Sequence, residues 1–91
     1  MNRDLLWKPL NYQILLLTRH SLSIVRKIAV IAIGKLFQEV GDDYLHLLPE
    51  CIQFISELLE DSHQDVVNAT RETITIIEDL SGEKLDTFLA H

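Results

Sequence analysis

A chain of 91 residues suffices for one small domain with a modest core and is too short for several domains. With 47% hydrophobic and 24% charged residues it is too apolar for intrinsic disorder, and three glycines and two prolines leave no linker or low-complexity tract. The net charge of −6 is unevenly placed: residues 1–40 carry six bases against two acids (+4), and residues 41–91 carry two bases against twelve acids (−10), which argues against a phosphate-backbone footprint in the second half.

Four segments show helical periodicity and none alternates with a strand's period of two, so an all-α chain is expected. In the first, Pro9 suits an opening helical turn, and Leu10, Ile14 and Leu17 recur at i, i+4, i+7 as one buried stripe. The second begins after Ser21 or Ser23, either a plausible N-cap, and aligns Val25, Ala29, Ala32, Leu36 and Val40 before Gly41 stops it. Ile24, Ile28, Ile31 and Ile33 lie elsewhere on its girth, so this helix should be central and covered on more than one side. Gly34 inside it costs about 1 kcal/mol relative to Ala and suggests a close helix–helix approach.

The third segment starts at Asp42 or Asp43, with Leu48, Ile52, Ile55 and Leu59 on one stripe and Leu47, Cys51, Phe54 and Leu58 beside it. Pro49 is expected either to kink this helix or to restart it. The fourth follows an Asp65 cap and aligns Val66, Thr70, Ile74 and Ile77, leaving the opposite face wet. A last short helix over 83–90, after a turn at Gly82, offers Leu85, Phe88 and Leu89 as a cap.

Leu16-Leu17 and the nine residues after them correspond to Leu58-Leu59 and the nine after those, with an offset of 42 in the first helices and 41 in the second. Val25 then matches Val66, Ile33 matches Ile74, and Leu36 matches Ile77. Two helices per unit and a period of about 40 residues are the signature of HEAT or armadillo arrays. The expected architecture is an α-solenoid of about two HEAT-like antiparallel helix pairs, repeat 1 over about 8–41 and repeat 2 over about 43–80, with the C-terminal cap over 83–90. An unrelated small helical bundle is the competing architecture. Because about three repeats are usually needed for a stable stack, the chain is expected to be an excerpt of something longer or to pair through its first helix, and exposed Leu10, Ile14 or Ile31 are the candidates for dimerisation of a fragment that lacks its neighbour.

No pattern for catalysis emerges. No two of His20, His46, His63 and His91 have the i, i+4 spacing of paired metal ligands, and His20 and His63 fall in corresponding turns that suit capping. Cys51 lies beside Phe54 on an apolar stripe, as a packed thiol does; being the sole cysteine it makes no internal disulfide and points to a reducing compartment. Glu60-Asp61 and Glu78-Asp79 read as solvated helix ends. There is no glycine-rich phosphate loop and no Gly-x-Ser-x-Gly elbow. The sequon Asn68-Ala69-Thr70 falls inside an expected helix. Trp7, Tyr12 and Tyr44 are too dispersed for a base-stacking platform. The N-terminus lacks an apolar signal core, and the longest apolar run, Ile28 to Ile33, is too short to cross a bilayer, so a soluble intracellular protein is expected. Arg26 is the exception among the charged residues: it follows Val25 where HEAT units often carry an arginine that reaches an acid in a neighbouring loop, here Asp61 or Asp65.

The stretch Trp7-Lys8-Pro9-Leu10-Asn11-Tyr12-Gln13 with Thr18-Arg19, then Tyr44-Leu45, Leu48-Pro49-Glu50, Glu57-Leu58 and Glu60-Asp61, then Gly82-Glu83 with Leu85, resembles the extreme C-terminus of the very large HEAT-repeat protein family of the nucleolar small-subunit processome. The resemblance covers nearly the whole chain, and since that family is far longer, a chain beginning at Met1 is expected to be a segment. It implies a non-catalytic scaffold of ribosome biogenesis, associated with the box C/D guide RNP and nascent pre-ribosomal RNA, that supports early cleavages toward the small-subunit rRNA and is linked to transcription of ribosomal DNA. Nuclear and nucleolar placement follows from it. So do partners among the preceding HEAT repeats of a longer chain and the processome proteins, with indirect RNA contact and no cofactor, metal, membrane or small-molecule substrate. The second repeat departs from the general pattern, with Val67 or Asn68 where an arginine is usual and Thr70 where a small apolar residue is.

Two other functions fit the same residues. One is a HEAT-like protein–protein adaptor in another pathway, such as transport or phosphatase scaffolding. The other is direct RNA binding through Arg19, Arg26, Lys27 and Lys35, which the acidic remainder disfavours. For a scaffold, the expected surface for a basic partner is acidic: Glu57, Glu60, Asp61, Glu72, Glu78 and Asp79.

Overall fold

The computed structural model describes residues 4–85. Five helices follow one another, α1 (Asp4–Leu17), α2 (Ser23–Val40), α3 (Asp42–Leu45), α4 (Leu48–Leu58) and α5 (Gln64–Ser81), and the described residues contain no strand. Gly41 ends α2 at φ 72° and Gly82 ends α5 at φ 75°, backbone conformations that a side chain would strain. Pro49 restarts the chain: it sits in the first turn of α4, where its missing N–H has no partner to lose, so the third segment is two helices, α3 and α4.

α1 and α2 form an antiparallel pair. Trp7, early in α1, and Phe37, late in α2, both pack edge-on against Tyr44, with ring centroids 6.3 and 4.8 Å away. α4 and α5 form the second pair. α2 and α5 run side by side in the same direction, Ser23 and Lys27 next to His63 and Val66, and Ile31 and Gln38 next to Ala69 and Ile76. This is an α-solenoid of two stacked helix pairs. The main core gathers Leu15, Ile33, Phe37, Tyr44, Leu47, Cys51, Ile55, Ile77 and Leu85 from every helix and the turn after α5. A smaller cluster of Val30, Leu58, Val66 and Ala69 seals the joint between the pairs. Full burial of such side chains is worth about 1.5–3 kcal/mol each.

At Gly34 α2 and α5 approach closely: a Cβ there would lie 3.3 Å from Thr73 Oγ1 and 3.4 Å from its Cγ2. The bare backbone lets Thr73 Oγ1 donate to the Val30 carbonyl of α2 at 3.1 Å, while also lying 3.0 Å from the Ala69 carbonyl of its own helix.

Several local expectations shift. Pro9 lies well inside α1, exposed, where water can reach the carbonyl it leaves unpaired. Leu10 and Leu17 are exposed and Ile14 is half-buried; the buried face is Asn11, Leu15 and Thr18, with Trp7 partly buried. In α2 the deep face is Ala29, Val30, Ile33, Gly34 and Phe37, while Ile24, Ile28 and Ile31 are exposed, so this helix is uncovered on one side. Neither Ser21 nor Ser23 caps α2, whose N-cap is Leu22, and Asp65 lies in the first turn of α5 behind the N-cap His63. The closing helix over 83–90 lies mostly outside the described residues, although Leu85 is fully buried in the core. No helix among the described residues is long and apolar enough to cross a membrane.

Candidate functional site

The turns that join each helix pair meet at one end of the stack, and a polar clasp holds them together. Arg26 Nε and Nη2 donate to Asp61 Oδ2 and Oδ1 at 2.7 and 3.1 Å, a two-pronged pairing that only a guanidinium provides. Arg26 Nη1 donates to the carbonyls of His20 and Ser21 at 2.8 and 3.0 Å, so one side chain fixes its own turn and the next. His63 Nδ1 lies 3.3 Å from Arg26 Nη2. The side chains of Arg26 and Asp61 are only 14% and 8% exposed, which shields the pair from solvent screening more than a surface bridge.

Asp61 also accepts the His63 backbone N–H at 2.9 Å. Its carboxyl is held below the usual carboxylate range, first by the Arg26 hydrogen bond, against the opposing effect of burial, with the His63 N–H adding to the shift. The hydrogen bond to Asp61 raises Arg26 in turn. Of the two candidate acids, Asp61 is the one Arg26 reaches; Asp65 is exposed on α5.

A second contact between the pairs is more open. Arg19 donates to Glu57 Oε1 and Oε2 at 3.1 and 2.6 Å and lies 4.2 Å over the Phe54 ring, with both charged side chains 46% exposed. Periodicity gave no hint of it, because Arg19 sits in the turn after α1. His20 Nδ1 accepts the Leu22 N–H at 3.0 Å and orders the turn that leads into α2, a helix that no side chain caps.

Deeper in, Tyr44 donates a short hydrogen bond to Asn11 Oδ1, and the Cys51 thiol approaches the same oxygen at 3.5 Å. Burial pushes the Tyr44 hydroxyl well up and the Cys51 thiol up to about 12. That thiol stays protonated and packed, without the electropositive, open setting of a nucleophile.

The expected acidic surface is divided by these contacts. Glu57 is held by Arg19, Asp61 by Arg26, and Glu78 Oε2 accepts the Leu85 backbone N–H at 2.8 Å. Glu60, Glu72 and Asp79 are exposed. The basic residues divide likewise, since Arg19 and Arg26 are each paired with a carboxylate, which leaves a poorer electrostatic footprint for RNA than the sequence offers. Among the described residues no group of three or more His, Cys, Asp or Glu side chains is placed to hold a metal ion.

The HEAT repeat-containing protein 1 homolog of Dictyostelium discoideum is 44% identical to the chain over 91 residues, 98% of this chain, and human HEAT repeat-containing protein 1 is 44% identical over 88 residues, 97% of it. The chain belongs to this family, as a segment. It spans about 4% of the length of these two relatives. A shorter match, 46% identical over 55 residues and covering 60% of this chain and 3% of the relative, is to U3 small nucleolar RNA-associated protein 10 of Coccidioides immitis. No family model and no solved structure matches the chain. These relatives bear out the resemblance carried by Trp7-Lys8-Pro9, Leu48-Pro49-Glu50 and Gly82-Glu83, and the stacked helix pairs are those of a HEAT-repeat protein.

Proposed function

We propose that the chain is a non-catalytic scaffold segment of ribosome biogenesis, acting in pre-rRNA processing toward the small-subunit rRNA and in small-subunit processome assembly, with a link to transcription of ribosomal DNA. The observation that carries this reading is its identity, over nearly its whole length, to HEAT repeat-containing protein 1 of distant organisms, joined to the fungal relative whose name associates it with the U3 small nucleolar RNA. On this reading the protein works in the nucleus, in the nucleolus. Its partners are the preceding HEAT repeats of a longer chain and protein components of the processome, and RNA is reached through them. The two repeats run over about 8–41 and 43–80, and the Arg26–Asp61 clasp is, among the described residues, the less exposed of the two ion pairs between them. Glu60, Glu72 and Asp79, the exposed acids of the set outside the Arg19, Arg26 and Leu85 contacts, face a basic protein partner.

The test is depletion of the protein encoded with this segment, followed by probing of pre-rRNA species. Accumulation of uncleaved precursor with loss of small-subunit rRNA, and unchanged large-subunit rRNA made from a separate cleavage branch, supports the reading. Normal precursor ratios after full depletion reject it.

A further inference from the structure

The joint between the two helix pairs is a template for a second joint of which the described residues hold one half. Its seal consists of Val30 from the leading pair inserted among Leu58, Val66 and Ala69 of the following pair, all four nearly or fully buried. Shifted back by the offsets of the internal repeat, 42 for the first helix and 41 for the second, those three positions become Leu16, Val25 and Ile28. They are apolar as well, but Leu16 is 43% exposed, Ile28 is 59% exposed and Val25 is only half-buried. Three quarters of a seal stand open. Ile28 is larger than its counterpart Ala69, which makes the unfilled side costlier to leave in water.

We propose that Leu16, Val25 and Ile28 are the docking face for a helix from the helical pair immediately upstream in the longer chain. That helix lies beside α2 as α2 lies beside α5, with one apolar side chain inserted where Val30 inserts at the inner joint. This rests on the reading of the chain as a segment of a longer repeat protein, which the family supports, since the chain spans about 4% of its relatives.

The template also shows how the two joints differ. The counterpart of Thr73, which bonds across to the Val30 carbonyl, is Ala32, and the counterpart of Asp61, the acid of the clasp, is Arg19, which is already committed to Glu57. The outer joint therefore has neither the cross-helix hydroxyl bond nor an acid to receive an upstream arginine. Its docking positions Leu16, Val25 and Ile28 are apolar, with Lys35, the counterpart of Ile76, exposed farther along α2, so burial is the main drive for its closure, whereas the inner joint is part ionic.

The probe is the stretch of about two repeat lengths (~80 residues) immediately N-terminal to the matched region of the Dictyostelium discoideum homolog, checked for helicity by circular dichroism. It is titrated calorimetrically into the full 91-residue chain and into three variants. Expected are 1:1 binding with a negative heat-capacity change, affinity within about twofold between low and high salt, and at least about tenfold weakening by Ile28→Glu and by Ile28→Gln. Leu80→Glu, an exposed apolar position on α5, should bind as the wild type. No binding by a helical probe, wild-type affinity of Ile28→Glu, or strong salt dependence each overturns the proposal. A self-associating chain dispersed by Ile28→Glu in sedimentation does so too, by giving the face to a second copy. Normal pre-rRNA after depletion would reject the ribosome-biogenesis reading and leave this binding untouched.

Discussion

α2 and α5 are both 18 residues long, run side by side, and occupy equivalent places in their helix pairs, yet they present opposite surfaces to solvent. Ile24, Ile28 and Ile31 of α2 are exposed; the matching positions of α5 are Asp65, Ala69 and Glu72, of which the charged two face water and the alanine is buried in the seal. Farther round α5, Arg71, Thr75 and Asp79 are also exposed. Positions the helices share, such as Val25 with Val66 and Leu36 with Ile77, fix the pair geometry. Positions where they differ set what each helix leaves uncovered: α2 an apolar face, α5 a polar one.

The largest expected effect comes from removing what both pairs share. Phe37 is fully buried, belongs to the core that every helix enters, and stacks edge-on against Tyr44. Phe37→Ala should destabilise the chain by about 3–5 kcal/mol in urea denaturation, and retention of a wild-type midpoint would show that the two pairs do not fold as one unit.

Next comes the substitution that sets the helices against each other. Ala69→Glu places a charge inside the sealed cluster, beside Val30 and Leu58, and should cost about 2–4 kcal/mol through crowding and desolvation. Ile28→Glu, at the equivalent position of α2, should change the stability of the 91-residue chain by no more than about 0.5 kcal/mol. Equal costs at the two positions would mean that Ile28 is covered in solution and that the contrast between the helices is false.

The approach at Gly34 gives a smaller effect. Gly34→Val should cost about 1–3 kcal/mol by driving α2 from Thr73, and Thr73→Ala in the same chain should recover part of it because the crowding atoms, 3.3 and 3.4 Å from the added Cβ, are the hydroxyl and methyl of Thr73. Strictly additive costs would place the strain elsewhere.

The same contrast explains which parts of the fold were legible in the sequence. α5 has a wet face, so the phase of its buried stripe is fixed, and Val66, Thr70 and Ile77 are buried where periodicity puts them. α1 and α2 lack a continuous polar face, so several rotations satisfy the pattern equally. In α1 the most apolar stripe, Leu10, Ile14 and Leu17, lies beside the true one, which passes through Asn11 and Thr18; both are fully or nearly buried, with Asn11 held by Tyr44 and Thr18 Oγ1 donating to the Leu15 carbonyl at 2.6 Å. Hydropathy alone cannot place an asparagine in a core, because what admits it is a partner on another helix. The ends of α2 and α5 at Gly41 and Gly82 were legible because a positive φ demands glycine. Their starts were not, because the polar groups that order each turn, His20 Nδ1 on Leu22 and Asp61 on His63, lie two residues before the backbone N–H they bind.

The smallest expected effect concerns the clasp, which only α2 carries: the counterpart of Arg26 in α5 is Val67, buried and apolar. Asp61→Asn should lower the urea midpoint at neutral pH, and the pH dependence of that loss identifies its origin. Arg26 holds the Asp61 carboxyl below its usual range, so folding gains stability while the group is ionised in both states, above the unfolded aspartate value of about 3.9. That gain is lost as the pH falls through the still lower value of the folded state. The gap between wild type and Asp61→Asn should therefore be flat from pH 7 to about 5 and close below about 4, with Arg26 protonated throughout. A gap that opens or closes between pH 5 and 7 instead would separate the loss from Asp61 ionisation, and the contrast between α2 and α5 would then not rest on the Arg26–Asp61 pair.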